Sequence, residues 1–199
     1  IEETSTEVSD LFKISNINLK DKFVVFSLSE WNDRKNHQSL ITSFISEFGN
    51  HEDVVLILKT SGAPAERITE EIKTIKKLIR VPHKTNNIIL LLDYLKEEEL
   101  NYLYHSCDVF ALLSKGEGFS LPLSEAAKFK KPVIAPKKGG HVDFLNKTSP
   151  LLVDGHWDTV LGPAPYDIEG EWYIPSIKSA REKLRYAYNL WKTNPEVLR

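Results

Sequence analysis

A parallel α/β sheet with helices on both faces is what this 199-residue sequence predicts, on three observations. Short apolar runs alternate with longer periodic stretches, the pattern of strand–helix–strand crossovers. The runs are β-branched and continuously apolar, as in Val109 to Leu113, so they suit strands buried on both sides. An apolar content of 41% is enough to fill one well-packed core in a chain of this length.

The candidate strands, in order, are Phe23 to Leu28, Val54 to Leu58, Ile88 to Leu92, Val109 to Leu113, Pro132 to Ala135 and Leu151 to Val153. Between them lie helical patterns. Ile68, Ile72, Ile75, Leu78 and Ile79 step by 4, 3, 3 and 1 and predict one apolar stripe. Ile177, Ala180, Leu184, Ala187 and Trp191 step by 3, 4, 3 and 4 and predict a closing C-terminal helix. Parallel crossovers of this kind are right-handed, and their sheets bind ligands beyond the carboxyl ends of the strands, where strand order switches. The loops on that edge are Ser29 to Lys35, Thr60 to Pro64, Asp93 to Leu95, Ser114 to Leu121 and Pro136 to His141. Gly155 to Pro175 is rich in Gly, Pro and aromatics and too irregular for an element. It reads as a long loop, with packing of Trp157 and Trp172 over the sheet favoured over a functional insertion.

The most informative string is Glu117 to Glu125, EGFSLPLSE. Ser114, Lys115 and Gly116 stop the preceding strand, Gly118 supplies a turn, and Pro122 suits the first helical position before Leu123 to Lys128. The backbone N–H groups from Leu121 to Ser124 then form an anion site where aligned peptide dipoles favour phosphate. A loop acid and a helix acid flank it. Carboxylates only accept hydrogen bonds, so the pair suits a hydroxyl-rich ligand with sugars on both sides of a diphosphate. Taken singly, Glu125 is equally explained by the preference of first helical turns for acids.

Four segments carry a family resemblance. EGFSLPLSEA resembles the E-x7-E signature of retaining glycosyltransferases of the glycogen-synthase and sucrose-synthase type, family 4 of the GT-B fold. Lys130 to Leu145, KKPVIAPKKGGHVDFL, is similar to that family's next strand and Gly-Gly turn. Leu91 to Ser114 is similar to its approach to the first Glu, and Phe23 to Phe44 to its first strand, basic loop and first helix. Similarity spans residues 23 to about 154. It implies a Rossmann-like domain, one half of a GT-B fold, with 1–20 as a linker and 21–199 as the C-terminal nucleotide-sugar-binding domain.

The resemblance also implies roles. Lys35 matches the family's Lys before the first helix and would neutralise the diphosphate. The family's Gly-Arg pair falls on Ser29 and Glu30, so Arg34 would serve from a shifted position; the alternative is that Asp33-Arg34-Lys35 is an ordinary polar loop. Glu117 would contact the donor sugar and Glu125 the ribose hydroxyls. The backbone of Gly118, Phe119, Ser120 and Leu121 would seat sugar and phosphate. Tyr94 and Leu95 follow the third strand, where relatives place the nucleobase, although Tyr94 equally suits packing. Gly139 and Gly140 would face the sugar-phosphate region. His141 reads as a surface residue, with a ligand contact as the alternative, and His105 as helix surface.

Other chemistries lack their motifs. There is no G-x-G-x-x-G after a strand, no G-x-x-x-x-G-K-[ST] and no G-x-S-x-G. One Cys and scattered His give no zinc set, and the resemblance implies that no metal or other cofactor is needed beyond the nucleotide-sugar substrate. A net charge of −2 without basic–aromatic interleaving argues against a nucleic-acid partner. The basic clusters KTIKKLIR and KFKK read as solvated helix faces or ends. Cys107 alone permits no internal disulfide, which suggests a reducing, cytoplasmic compartment. No apolar run approaches the roughly 18 residues of a membrane span, so any membrane attachment belongs to other segments.

The chain starts at Ile1 and contains no Met, so it reads as an excised or processed piece, with loss of the initiator Met alone as the competing explanation. The expectation is the donor-binding half of a retaining glycosyltransferase using a UDP- or GDP-linked sugar. A glycan, lipid or other acceptor would be held by an N-terminal half outside this sequence, and the piece alone would transfer little. A non-catalytic nucleotide-sugar-binding module is the alternative, and a GT-B epimerase or phosphorylase the third possibility.

Overall fold

The computed structural model describes residues 19–49, 53–79, 87–160, 169–194 and 196. Most of the expected linker over 1–20 therefore lies outside the described residues. The elements run β1 (Phe23–Leu28), α1 (His37–Phe48), β2 (Val54–Lys59), α2 (Ala65–Ile79), β3 (Ile88–Leu91), α3 (Glu97–Ser106), β4 (Val109–Ala111), α4 (Leu121–Lys128) and β5 (Val133–Pro136). A single 3-10 turn (Gly140–Asp143), β6 (Leu152–Val153), β7 (Gly155–Thr159), β8 (Glu171–Pro175) and α5 (Ile177–Thr193) complete the described chain.

Six parallel strands form one sheet in the order β3-β2-β1-β4-β5-β6, the Rossmann-like arrangement. The order reverses between β1 and β4. Alternate residues of β1 feed two cores, as a period of two requires. Phe23 and Val25 pack with α1, α2 and α5, while Val24 and Phe26 pack with α3 and α4. Both faces of the sheet are therefore covered.

Three expectations about elements are corrected. Gly155 to Pro175 is not without regular structure: β7 and β8 pair antiparallel, with Trp157 opposite Tyr173. The alternation in GHWDT and EWYIP is masked in the sequence by Gly, Pro and charged neighbours; residues 161–168 between them lie outside the described residues. Trp172 is buried while Trp157 is half exposed, so only one of the two packs as expected. In α2, Ile68, Ile72 and Ile75 are buried but Leu78 is 72% exposed, because Ile79 continues the 4-3-4 spacing and Leu78 falls one residue off the stripe. Lys131 of the KFKK cluster is buried rather than solvated, its Nζ donating to the His105 carbonyl at 2.9 Å.

Candidate functional site

The loops after β1 and β4 meet at the reversal of strand order. Asn36, in left-handed backbone with φ 53°, turns the first of them into α1, and its side-chain amide donates to the Leu113 carbonyl at 3.0 Å. Asn tolerates this conformation better than most residues. Lys115 N–H donates to the Arg34 carbonyl at 2.8 Å, so the two loops are also joined through backbone. This fastening sets the basic pair against the loop acid. Lys35 Nζ lies 2.6 Å from Glu117 Oε1, and Arg34 Nη1 lies 3.5 Å from the same oxygen while donating to the Gly116 carbonyl at 2.7 Å. Glu117 is almost fully enclosed, its side chain 5% exposed, with Lys35 at 12% and Arg34 at 26%. Two cations thus share one carboxylate at the carboxyl edge of the sheet.

Behind Glu117 the two glycine-bearing loops interlock. Gly140 N–H donates to the Glu117 carbonyl at 3.0 Å, and a Cβ on Gly140 would collide with the Gly118 carbonyl and stand 2.9 Å from its carbon. Gly139 takes φ 127°, which L side chains rarely adopt. The Gly-Gly pair therefore lets the loop after β5 press on the backbone of the loop acid. Beside it sits His141, 1% exposed, with Nε2–H donating to the Pro136 carbonyl at 2.7 Å. The surface reading of His141 is thus wrong: the 3-10 turn folds the ring inward, and burial lowers its pKa. His105 is exposed, as expected, edge-on to Phe129.

The helix acid has a different neighbour. Glu125 Oε2 accepts from the hydroxyl of Tyr104, on α3, at 2.9 Å, and it shares no hydrogen bond or ion pair with Glu117, Lys35 or Arg34 among the described residues. Tyr104 is buried among Phe26, Phe110 and Phe129, with ring centroids 5.2, 5.6 and 5.2 Å away. Burial and the adjoining Glu125 push its hydroxyl pKa up, keeping it a donor. The sequence reading missed this residue: it reads as an apolar-face aromatic, and only the fold brings it to a residue 21 positions away.

The start of α4 also differs from expectation. The helix begins at Leu121, after Ser120 in left-handed backbone at φ 59°. Ser124 N–H is already bonded to the Ser120 carbonyl, and Pro122 has no N–H. Leu121 and Leu123 are left to present N–H groups, fewer than the run from Leu121 to Ser124. The buried hydroxyls of Ser114 and Ser120 on the same edge have no hydrogen-bond partner among the described residues. Phe119 and Leu121 are exposed, Phe119 leaning on Phe144 at 5.1 Å. Tyr94 is 90% exposed, which removes its packing alternative, whereas Leu95 packs against the core under α3. Gly118 takes no left-handed backbone, and a Cβ there would meet nothing within 4 Å.

An element the sequence left irregular also braces this edge. Lys115 Nζ bridges to Asp33 at 2.6 Å and lies 4.8 Å above the Trp172 ring, and Tyr173 N–H donates to the Lys115 carbonyl at 2.8 Å. No group of three or more His, Cys, Asp or Glu able to hold a metal occurs among the described residues. Among them, no helix is long and apolar enough to cross a membrane.

Comparison with solved structures finds the same fold in several proteins. HepE from Anabaena, solved with UDP-glucose, superposes over 96% of this chain with TM-score 0.65 and 18% identity. The C-terminal domain of LpcC, a glycosyl transferase group 1 protein from Francisella tularensis, does so over 96% with TM-score 0.67 and 17% identity, and the match covers 86% of that domain. A trehalose-6-phosphate protein from E. coli, bound with UDP-2-fluoro glucose, gives TM-score 0.61 at 13% identity over 96% of this chain and 41% of its own. The chain spans 45% of the length of HepE, one half of a GT-B architecture. No curated protein sequence matches it closely enough to count as a relative. Residues 8–159 match the family model described as glycosyl transferases group 1, and since that is well over half of the sequence, the chain belongs to this family of GT-B glycosyltransferases.

Proposed function

We propose that this chain is the donor-binding half of a retaining, family-4 type glycosyltransferase that takes a sugar from a UDP- or GDP-linked donor. The observation that carries the reading is the meeting of Arg34 and Lys35 with Glu117, which lies 82 residues beyond Lys35 in sequence, at the switch point of a parallel sheet. The diphosphate of such a donor carries about two negative charges, and its charge grows as the C1–O bond to the sugar breaks. Lys35 offers a compact charge and Arg34 a forked donor to that group, so no metal is needed for its departure. The acceptor oxygen bonds to C1 on the face the diphosphate leaves, and its proton passes to the leaving phosphate oxygen. That route needs no separate strong base on this half.

Glu117 holds both cations and sits beside the sugar, fixing the basic pair in the absence of donor. Glu125 accepts from the ribose, Tyr94 and Leu95 flank the base, and the backbone of Gly118, Phe119, Ser120 and Leu121, with Gly139 and Gly140, borders the sugar and phosphates. The partnerless buried hydroxyls of Ser114 and Ser120 on this edge support a ligand-facing role for the loop after β4. A glycan or lipid acceptor is held by the other half of the molecule. The bound UDP-glucose of HepE favours a UDP-sugar as the first donor to try.

A thermal-shift panel of UDP-, GDP- and ADP-sugars with and without EDTA tests this reading. A nucleotide-sugar that raises the midpoint by several degrees, unaffected by EDTA, supports it. No shift with any of them, or a shift abolished by EDTA, overturns the donor site or its independence of metal. Once the partner half is supplied, an anomer analysis of the product decides between retention and inversion.

A further inference from the structure

Tyr104 is a core aromatic with one polar atom, and that atom is aimed at an acid on the ligand edge. Its ring is clamped by Phe26, Phe110 and Phe129, so the hydroxyl position is set by core packing rather than by solvent. From there it donates to Glu125 Oε2 at 2.9 Å; its other reachable acceptor, the Pro122 carbonyl, is longer at 3.3 Å. The structure places Glu125 past the first turn of α4, which starts at Leu121, and its side chain otherwise has three rotatable bonds and several rotamers. The hydrogen bond selects one of them. A carboxylate has about four lone-pair sites, and the Tyr104 bond occupies one on Oε2, leaving the remainder for a vicinal diol.

We propose that Tyr104 is a positioning residue that orients the Glu125 carboxylate for the two hydroxyls of a ribose, and so sets the preference of this site for ribo- over deoxyribonucleotides. It rests on the donor-site reading above and adds a determinant of specificity that lies outside the ligand's reach. A hydroxyl fixed by three aromatic rings costs the ligand no ordering entropy on binding. Removing it leaves Glu125 charged but free to rotate, so ribose recognition weakens while phosphate and base recognition stay.

The test is a calorimetric comparison of UDP, GDP and ADP with dUDP, dGDP and dADP on the purified protein and its Tyr104→Phe, Glu125→Gln and double variants. Phe keeps the ring that the core packs, and a thermal melt of each variant checks that the fold is intact. We expect the wild-type protein to prefer its best ribonucleotide over the deoxy form by about tenfold, the value of one hydrogen bond to a charged group. Tyr104→Phe should remove most of that ratio by weakening the ribonucleotide alone, and adding it to Glu125→Gln should cost little more, since the two act as one unit. A wild-type ratio that persists in Tyr104→Phe overturns the positioning role and leaves the donor site standing. Equal losses for ribo and deoxy ligands likewise overturn it, as a merely structural effect. If no nucleoside diphosphate binds the wild-type protein, the donor-site reading falls and this inference with it.

Discussion

At the scale of the residue, Lys35 and Gly140 separate charge from shape. Lys35 holds an enclosed carboxylate, so Lys35→Ala both exposes Glu117 to an unbalanced environment and removes the donor proposed for the phosphates. Comparing ligands on one variant cancels the first effect. Lys35→Ala should weaken UDP or GDP by about 1.5–3 kcal/mol in calorimetry while leaving uridine or guanosine nearly unchanged; equal losses would remove the phosphate assignment. Gly140 is required by space, since any Cβ there strikes the Gly118 carbonyl group. Gly140→Ala should lower stability by roughly 1–3 kcal/mol in urea denaturation, the cost of an added methyl in packed surroundings. Gly118→Ala meets open space and should stay within about 0.5 kcal/mol of wild type. A loss of nucleotide binding in Gly118→Ala without a loss of stability would then mark the approach of ligand to that loop.

At the scale of the element, the β7–β8 hairpin is the brace of the acidic loop. Trp172 is 6% exposed beneath Lys115, whereas Trp157 on the facing strand is 52% exposed. Trp172→Ala should cost about 3–5 kcal/mol, as large-to-small changes of buried aromatics do, and Trp157→Ala much less, both read from denaturant midpoints. Similar costs for the two would mean that the hairpin does not bear on the domain through Trp172. The sequence hid this element because its alternation is short and interrupted, and because pairing across residues 161–168 is a non-local event that no local propensity reports. By contrast, strands β1 and β2 and helix α5 were legible within a residue or so, their burial patterns being dense and regular.

At the scale of the whole molecule, stability should depend on pH through a histidine enclosed beside the switch point. His37 is 5% exposed, stacked on Trp31 at 4.3 Å, with Ser29 Oγ 3.0 Å from its Nε2. Burial lowers its pKa from 6.5 to about 4, the nearby Lys35 adding to the effect and Glu71 opposing it. The folded state therefore resists a proton that the unfolded chain accepts. Stability is full above pH 6.5 and is lost progressively as pH falls from 6.5 toward 4, by no more than about 3 kcal/mol from this group. His141, lowered in the same direction by burial, adds to the loss. Melting temperatures between pH 7.5 and 4.5 should fall with decreasing pH, and replacing His37 with Gln should flatten the slope. A flat wild-type profile would show that neither ring is held neutral by the fold.

The sequence by itself determined the layered α/β architecture, the order of the strands along the chain and the edge on which Lys35, Glu117, Gly139 and Gly140 would lie, because hydrophobic period and turn residues are local properties. Only tertiary structure decided which of these side chains touch. The bond between Lys35 and Glu117 crosses 82 residues and that between Tyr104 and Glu125 crosses 21, and both are set by how strands pair and helices pack over them. The inward turn of His141, the burial of Lys131 and the exposure of Leu78 follow for the same reason: a residue's surroundings are fixed by the neighbours that folding brings, and those neighbours are distant in sequence.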